Sequence, residues 1–170
     1  MLPMNTRLWM SLFFATLVAG GCGSGGSHAP DAPGAPIADV SSAARPSGLP
    51  APGDSAARNL ADYKVEIANR IYQGNAGQVF AGTPPHELRS VIVLSVVLNA
   101  SGTVKNVVVF RDNGDDETRN AAVASVYRAA PYPRPPRPLV RGGQVQFTET
   151  WLFRDDAQFQ LRTLAEAYQK

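Results

Sequence analysis

The sequence has few of the residues that build catalytic and metal centres: one cysteine and two histidines among 170 residues. His28 and His86 form no histidine pair at metal-ligand spacing, and the single cysteine, Cys22, cannot form an internal disulfide. The chain also lacks a Gly-rich phosphate-binding loop and a Gly-x-Ser-x-Gly nucleophile motif. We therefore expect that the protein is not an enzyme and that it has no catalytic residue, metal site or cofactor.

Blocks of like charge are also missing, because the basic residues are scattered and the formal net charge is only +2. Nucleic-acid-binding proteins concentrate basic residues on one face or in one run, so we expect no nucleic-acid partner. With 44% hydrophobic residues, most of the chain can fold. The 15 glycines and 14 prolines are too many for a wholly compact protein of this size and must be clustered.

The longest apolar run lies at the N-terminus, where Arg7 precedes Leu8–Val18. About 20 apolar residues are needed to span a bilayer, so this shorter run is typical of a secretory signal. Ala19-Gly20-Gly21-Cys22 follows it and resembles the lipobox of bacterial lipoproteins, whose cysteine is lipidated before the signal is removed. The alternative is an ordinary secretory signal with an incidental cysteine.

The lipobox resemblance implies a signal peptide at residues 1–21 and an N-terminal lipid on Cys22. Lipoproteins kept in the inner membrane often carry Asp after the cysteine, whereas Gly23 stands here. The resemblance therefore places the protein in the cell envelope, anchored by lipid to the outer membrane and facing the periplasm.

The glycines and prolines cluster directly after this cysteine. Residues 22–54 are rich in Pro, Ala and Gly and show no hydrophobic period of 2 or 3.6. Such a segment cannot bury enough apolar surface to fold. We expect a disordered linker with a span of roughly 30 Å that tethers a domain at residues 55–170.

Helical periodicity opens that domain. Apolar residues predict an amphipathic helix from Ser55 to about Gln73, capped by Ser55 or Asp54 and ended by Gly74-Asn75. A second helix is predicted after the acidic residues Asp112, Asp115, Asp116 and Glu117. These acids lack the spacing of a calcium loop, so they are interpreted as helix-capping residues. Ala122, Val123, Val126 and either Ala129 or Ala130 form its apolar stripe, and Pro131 ends it.

Strand periodicity occurs in three further segments. Val91–Asn99 is apolar at nearly every position, which predicts a strand covered on both faces. Val104–Phe110 alternates and is predicted to pair with it as a hairpin turned at Gly102. Val145–Phe153 alternates as a third strand. Near Phe159–Thr163 a short fourth strand is preferred over a C-terminal helix.

These patterns predict a small two-layer α+β domain in the order helix-strand-strand-helix-strand, with an antiparallel sheet of three or four strands packed by two helices. The order resembles the C-terminal domain of the TonB and TolA energy-transducer families over Ser55 to about Phe153. Its most specific pieces are Leu98-Asn99-Ala100-Ser101-Gly102-Thr103-Val104 and Val107-Val108-Val109, followed by the Ala-rich helix and the Pro-rich Tyr127–Pro138.

The same comparison shows two departures. The Tyr-Pro common before the first strand in TonB-like domains is replaced by Thr83-Pro84-Pro85-His86-Glu87-Leu88. Energy transducers also keep an uncleaved N-terminal helix that couples to a proton-driven motor, whereas the lipobox implies that this chain loses its apolar segment. We therefore expect a protein that does not transduce energy by itself.

Two places in the domain are predicted to contact a partner protein. The Pro/Arg loop, Pro131–Arg141, can present a preformed extended backbone and guanidinium groups that bind acids. Its predicted contact residues are Tyr132, Arg134, Arg137 and Arg141. TonB-like domains bind receptor peptides along a sheet edge, which implies that Val145–Phe153 faces the partner, with Gln146 and Thr148 in contact. The alternatives are that the first segment is a mere connection and that Phe147 and Trp151 simply fill the core.

The sequence thus predicts a cell-envelope lipoprotein whose periplasmic domain binds a segment of a periplasmic or outer-membrane protein, by strand addition or through the Pro/Arg loop. It would be an accessory of TonB- or Tol-type envelope transport. The alternative is a structural or assembly lipoprotein of an envelope complex unrelated to energy transduction.

Replacing Cys22 with serine should remove the lipid. We expect the native protein to fractionate with membranes and to carry an intact mass increased by its acyl chains, because several chains hold a protein on a bilayer far better than one. The Cys22→Ser protein should lose that added mass. An unlipidated native chain that keeps its N-terminus would contradict the lipobox interpretation.

Overall fold

The computed structural model describes residues 49–167. The predicted signal peptide, Cys22 and most of the predicted linker lie outside the described residues. The elements, in chain order, are a helix at Leu60–Gly74 (α1), strands at Ser90–Asn99 (β1) and Val104–Arg111 (β2), a helix at Asp116–Ala129 (α2), a 3-10 turn at Arg137–Leu139, strands at Gln144–Phe153 (β3) and Phe159–Leu161 (β4), and a short helix at Arg162–Ala167 (α3).

The four strands form one antiparallel sheet in the order β2-β1-β3-β4. The predicted fold class and element order are confirmed. Helices α1 and α2 pack against each other, and their apolar sides share one hydrophobic core with the inner face of the sheet. The predicted stripe of α2 (Ala122, Val123, Val126 and Ala129) is fully buried there.

The core is built around Trp151 of β3, which is 0% exposed. Its indole N–H donates to the Ser125 hydroxyl of α2 over 2.9 Å, and that hydroxyl donates to the carbonyl of Ala122 over 2.6 Å. A buried indole needs such an acceptor because an unpaired buried N–H is costly. This hydrogen bond fixes the position of α2 over the centre of the sheet.

Helix α1 begins later than the sequence predicts. Its N-cap is Asn59, whose side chain accepts from the amide of Asp62 over 2.9 Å, so the prediction of Ser55 or Asp54 as the cap was wrong. Ser55 instead precedes the helix, and its amide donates to the carbonyl of Arg134 over 3.0 Å. The predicted stop is confirmed, since Gly74 is the last helical residue and Asn75 the C-cap.

Strand β1 is buried on one face only. The prediction that Val91–Asn99 is covered on both faces was wrong, because alternate residues on its outer face stay partly exposed and Val91 is 38% exposed. On the neighbouring strand, Phe110 is 67% exposed. Valine fits a pleated, half-buried surface as well as a core, so its abundance did not establish which face was covered.

The acidic residues before α2 cap it as predicted. Asp115 is the N-cap and accepts from the amide of Thr118 over 3.2 Å. The Arg89 guanidinium donates to the same carboxylate over 2.8 Å and to Glu117 over 2.5 Å. The bond from Thr118, followed by that from Arg89, holds the pKa of Asp115 below its usual range.

The C-terminal segment contains both a strand and a helix. The preferred short strand is present at Phe159–Leu161, but Thr163, which the alternation assigned to it, lies in α3. Glu149 of β3 ends the strand by capping that helix, because its carboxylate accepts from the Thr163 amide over 3.3 Å and from the Thr163 hydroxyl. This carboxylate comes from a distant strand and gives no local signal in the sequence.

Gly102 should be irreplaceable in the hairpin turn. Its φ of +83° favours glycine, and an added Cβ would stand 2.0 Å from the carbonyl oxygen of Tyr132. We expect Gly102→Ala to lower the free energy of unfolding by roughly 2–4 kcal/mol, the scale of backbone strain combined with overpacking. Denaturant unfolding followed by circular dichroism measures this loss.

The matched control is Gly114→Ala. Gly114 has nearly the same φ, +84°, but nothing lies within 4 Å of an added Cβ. This variant should lose only about 1 kcal/mol, the cost of a left-handed backbone conformation in alanine. Equal losses in the two variants would mean that the Tyr132 carbonyl does not constrain the turn.

Candidate protein-binding site

Strand β3 is an inner strand for part of its length and an edge for the rest. It pairs with β1 from Gln144 to Phe153, whereas β4 covers only Trp151–Phe153 on its other side. The prediction of Val145–Phe153 as an edge therefore holds for the first part of the strand only. We call Gln144–Thr150 the open edge of β3.

The hydrogen bonds at the two ends of β3 show which backbone groups face the open edge. Gly143 accepts from Ala100 on the β1 side over 3.0 Å, and Arg154 donates to Gln158 on the β4 side over 2.9 Å. Backbone groups alternate between the two sides of an antiparallel strand. The amide and carbonyl groups of Gln146 and Thr148 therefore point away from β1, toward the open edge.

The ends of the open edge are closed by local bonds. Arg141 and Gln144 exchange backbone hydrogen bonds of 2.8 and 3.1 Å, and the Glu149 carboxylate accepts from the Thr150 amide over 2.9 Å. Between them, Gln146 and Thr148 have no backbone hydrogen-bond partner within residues 49–167, and their side chains are exposed. The structure thus brings together the two predicted strand contacts as adjacent, accessible edge positions.

A small apolar cavity adjoins the start of the open edge. It has a volume of about 250 Å³ and is lined by Leu60, Leu139, Arg141, Gln144, Val145 and Gln146. Leu60 begins α1 and is 39% exposed although it is apolar. A strand added at the open edge would find room here for one apolar side chain. The helical periodicity of this segment gave no sign of the cavity.

The arginines of the Pro/Arg loop lie beside a larger cavity of about 600 Å³, which is lined by Asp54, Ser55, Ala100, Arg134, Pro135, Pro136, Arg137 and Val140. Arg134 contacts Asp54 with an Nη1–Oδ1 distance of 3.3 Å. Arg141 donates to the carbonyls of Pro138 and Val140 over 2.7 and 3.1 Å. Two of the predicted contact residues, Arg134 and Arg137, therefore share one cavity, and Arg141 borders the smaller one.

Tyr132 is not a surface contact residue, and the prediction that it meets a partner is corrected here. Its side chain is 1% exposed, and its hydroxyl donates to the carbonyl of Val126 over 2.7 Å. Burial raises the pKa of this phenol well above its ordinary value. The aromatic ring after α2 belongs to the core, while the arginines that follow it stay at the surface.

Among the residues that the structure describes, no helix is long and apolar enough to cross a membrane. The described segment also brings together no group of three His, Cys, Asp or Glu side chains that could hold a metal ion. Comparison of the chain with protein-family models, curated proteins and solved structures finds no match.

Glu149 should control the order of α3. It is 3% exposed, and besides Thr150 and Thr163 it faces Lys64 at an Nζ–Oε2 distance of 3.7 Å. We expect Glu149→Ala to lower the free energy of unfolding by about 2 kcal/mol, because buried hydrogen-bond donors lose their acceptor. Hydrogen exchange in α3 should rise with it, as measured by mass spectrometry.

Glu166→Ala is the control for this change. Its carboxylate pairs with Arg162 at 2.7 Å, but both side chains are exposed, and exposed pairs of this kind contribute about 0.3–0.5 kcal/mol. If the two variants lost equal stability, Glu149 would be an ordinary surface acid.

Proposed function

We propose that the protein is a cell-envelope lipoprotein whose domain binds a segment of a partner protein by adding it as a strand to the open edge of β3. The observation that supports this most directly is the pair Gln146 and Thr148, whose backbone groups face outward without partners in the described part of the chain. Proteins recognise extended peptides at such edges through main-chain hydrogen bonds.

The energetics favour a short, moderately tight contact. Each backbone hydrogen bond contributes about 0.5–1.5 kcal/mol net, so pairing at two residues alone gives weak binding. The apolar cavity at Leu60, Leu139 and Val145 can add the burial of one side chain, worth about 1.5–3 kcal/mol. Backbone pairing would thus position the segment, and side-chain burial would select it.

The N-terminal sequence and the element order support the proposed cellular role. Lipidation at Cys22 and a long linker would leave the domain free to reach partners in the periplasm. The resemblance to the C-terminal domains of TonB and TolA favours an accessory role in TonB- or Tol-type envelope transport. Partners would be periplasmic or outer-membrane proteins with an extended segment.

A proline at position 148 tests this proposal. Proline removes the outward amide and blocks strand pairing, yet it is tolerated where a strand's N–H faces solvent. A photo-reactive amino acid at exposed position 146 should cross-link a defined segment of a partner in envelope preparations. We expect Thr148→Pro to reduce that cross-link at least about tenfold, since a lost pairing surface removes more than one hydrogen bond.

Thr148→Val is the matched control, because it keeps the backbone donor and the β-branched shape while removing the hydroxyl. It should cross-link as the native chain does. A photo-reactive residue at exposed Asn120 on α2 should recover no partner. Undiminished cross-linking by the proline variant, with the sheet intact by circular dichroism, would refute strand addition.

A further inference from the structure

The larger cavity lies where the chain enters the domain, and two distant segments form its walls. Asp54 and Ser55 stand on one side, and the Pro/Arg loop from Arg134 to Val140 stands on the other. The Ser55 amide donates to the Arg134 carbonyl over 3.0 Å, and the Arg134 amide donates to the Gly53 carbonyl over 3.2 Å. These bonds hold the walls at a fixed separation.

The loop itself is preorganised by its own sequence. Pro135 and Pro136 restrict the backbone, and the 3-10 turn at Arg137–Leu139 is closed by a 3.1 Å bond from the Val140 amide to the Arg137 carbonyl. The Arg141 guanidinium adds its bonds to two loop carbonyls. A ligand that enters the cavity therefore has little loop entropy to remove.

The charges around the cavity are unbalanced. Arg134 and Arg137 line it, and Asp54 is the one acid that does so. The Arg134–Asp54 pair is weak because the two side chains are 65% and 78% exposed. In the part of the chain that the structure describes, Arg137 has no ion pair. The cavity thus offers one free guanidinium and one that is only loosely occupied.

We propose that this cavity binds a carboxylate of the partner segment, with Arg137 as its principal contact and Asp54 as a resident carboxylate that the ligand displaces from Arg134. The planar guanidinium group can bind a carboxylate through two parallel hydrogen bonds. The apolar wall of Pro135, Pro136 and Val140 fits the methylene stem of an acidic side chain. This inference rests on the proposed function and adds the chemistry of the partner, which is an acidic extended segment.

An anionic membrane is a poorer fit for the same arginines. Bilayer binding grows modestly with each basic residue near the surface, and here Asp54 offsets part of a small positive patch. The guanidinium groups also border a concavity of about 600 Å³ rather than a protruding face. A single carboxylate group can enter such a concavity, whereas the surface of a bilayer cannot.

The test measures binding of two fluorescent peptides to the full-length protein in detergent micelles. One peptide alternates glutamate with alanine, and the other carries glutamine in place of glutamate. We expect the glutamate peptide to bind and the glutamine peptide not to bind. Arg137→Ala should lower its association constant about fivefold through loss of a charge-assisted contact, and Asp54→Asn should raise it about threefold by freeing Arg134.

Two controls separate the cavity from net charge. Arg111→Ala removes an exposed arginine from β2, and Asp155→Asn removes an exposed acid from the β3–β4 turn. Each should change the association constant less than twofold, because exposed charges beyond about 10 Å are screened. Equal effects of Arg111→Ala and Arg137→Ala would overturn the proposal, as would binding to phosphatidylglycerol vesicles but to neither peptide.

The cross-linking and peptide-binding experiments can fail independently, so they test the open edge and the cavity separately. If Thr148→Pro abolishes the partner cross-link while Arg137→Ala leaves it unchanged, strand addition is supported and the proposed carboxylate site is refuted. If Arg137→Ala weakens acidic-peptide binding while Thr148→Pro leaves the cross-link intact, the cavity is an anion site and the open edge is not the docking strand.

Discussion

The contact between Gly102 and Tyr132 holds the binding end of the domain together. The Tyr132 amide donates to the Gly102 carbonyl over 2.9 Å, and the lack of a Cβ at Gly102 lets the two backbones approach. Tyr132 then reaches α2 through its hydroxyl, and Tyr63 of α1 reaches the same loop by donating to the Pro133 carbonyl over 2.7 Å. The hairpin, both long helices and the Pro/Arg loop thus depend on one close backbone approach.

Local periodicity was enough to predict most of the fold. The two hairpin strands pair as predicted. The apolar stripe of α2 and the alternation of β3 bury the residues that the pattern assigns to the core, because their neighbours in sequence already define one apolar face. The prediction of the α1 cap was wrong because the true cap is decided by a contact with a residue far along the chain. Asp54, Ser55 and Asn59 are all good caps, and only pairing with Arg134, far along the chain, takes Ser55 out of the helix.

The candidate site was predictable in part. Exposure of Gln146 and Thr148 follows from strand alternation, and exposure of the arginines follows from their charge. Burial of Tyr132 could not be read from the sequence, since a tyrosine among prolines fits a surface loop equally well. The position of Asp54 opposite Arg134 and the three-residue length of β4, which leaves β3 open, are both set by tertiary packing.

The bridge between residues 53–55 and Arg134 has a mechanical consequence. A pull along the chain from the N-terminal side would load these backbone bonds before it loaded α1. Asp54 and Ser55 form one wall of the larger cavity. Tension in the chain before residue 53 and the shape of that cavity are therefore linked by the connectivity of the chain, so such a pull would act on a wall of the cavity before it acted on α1.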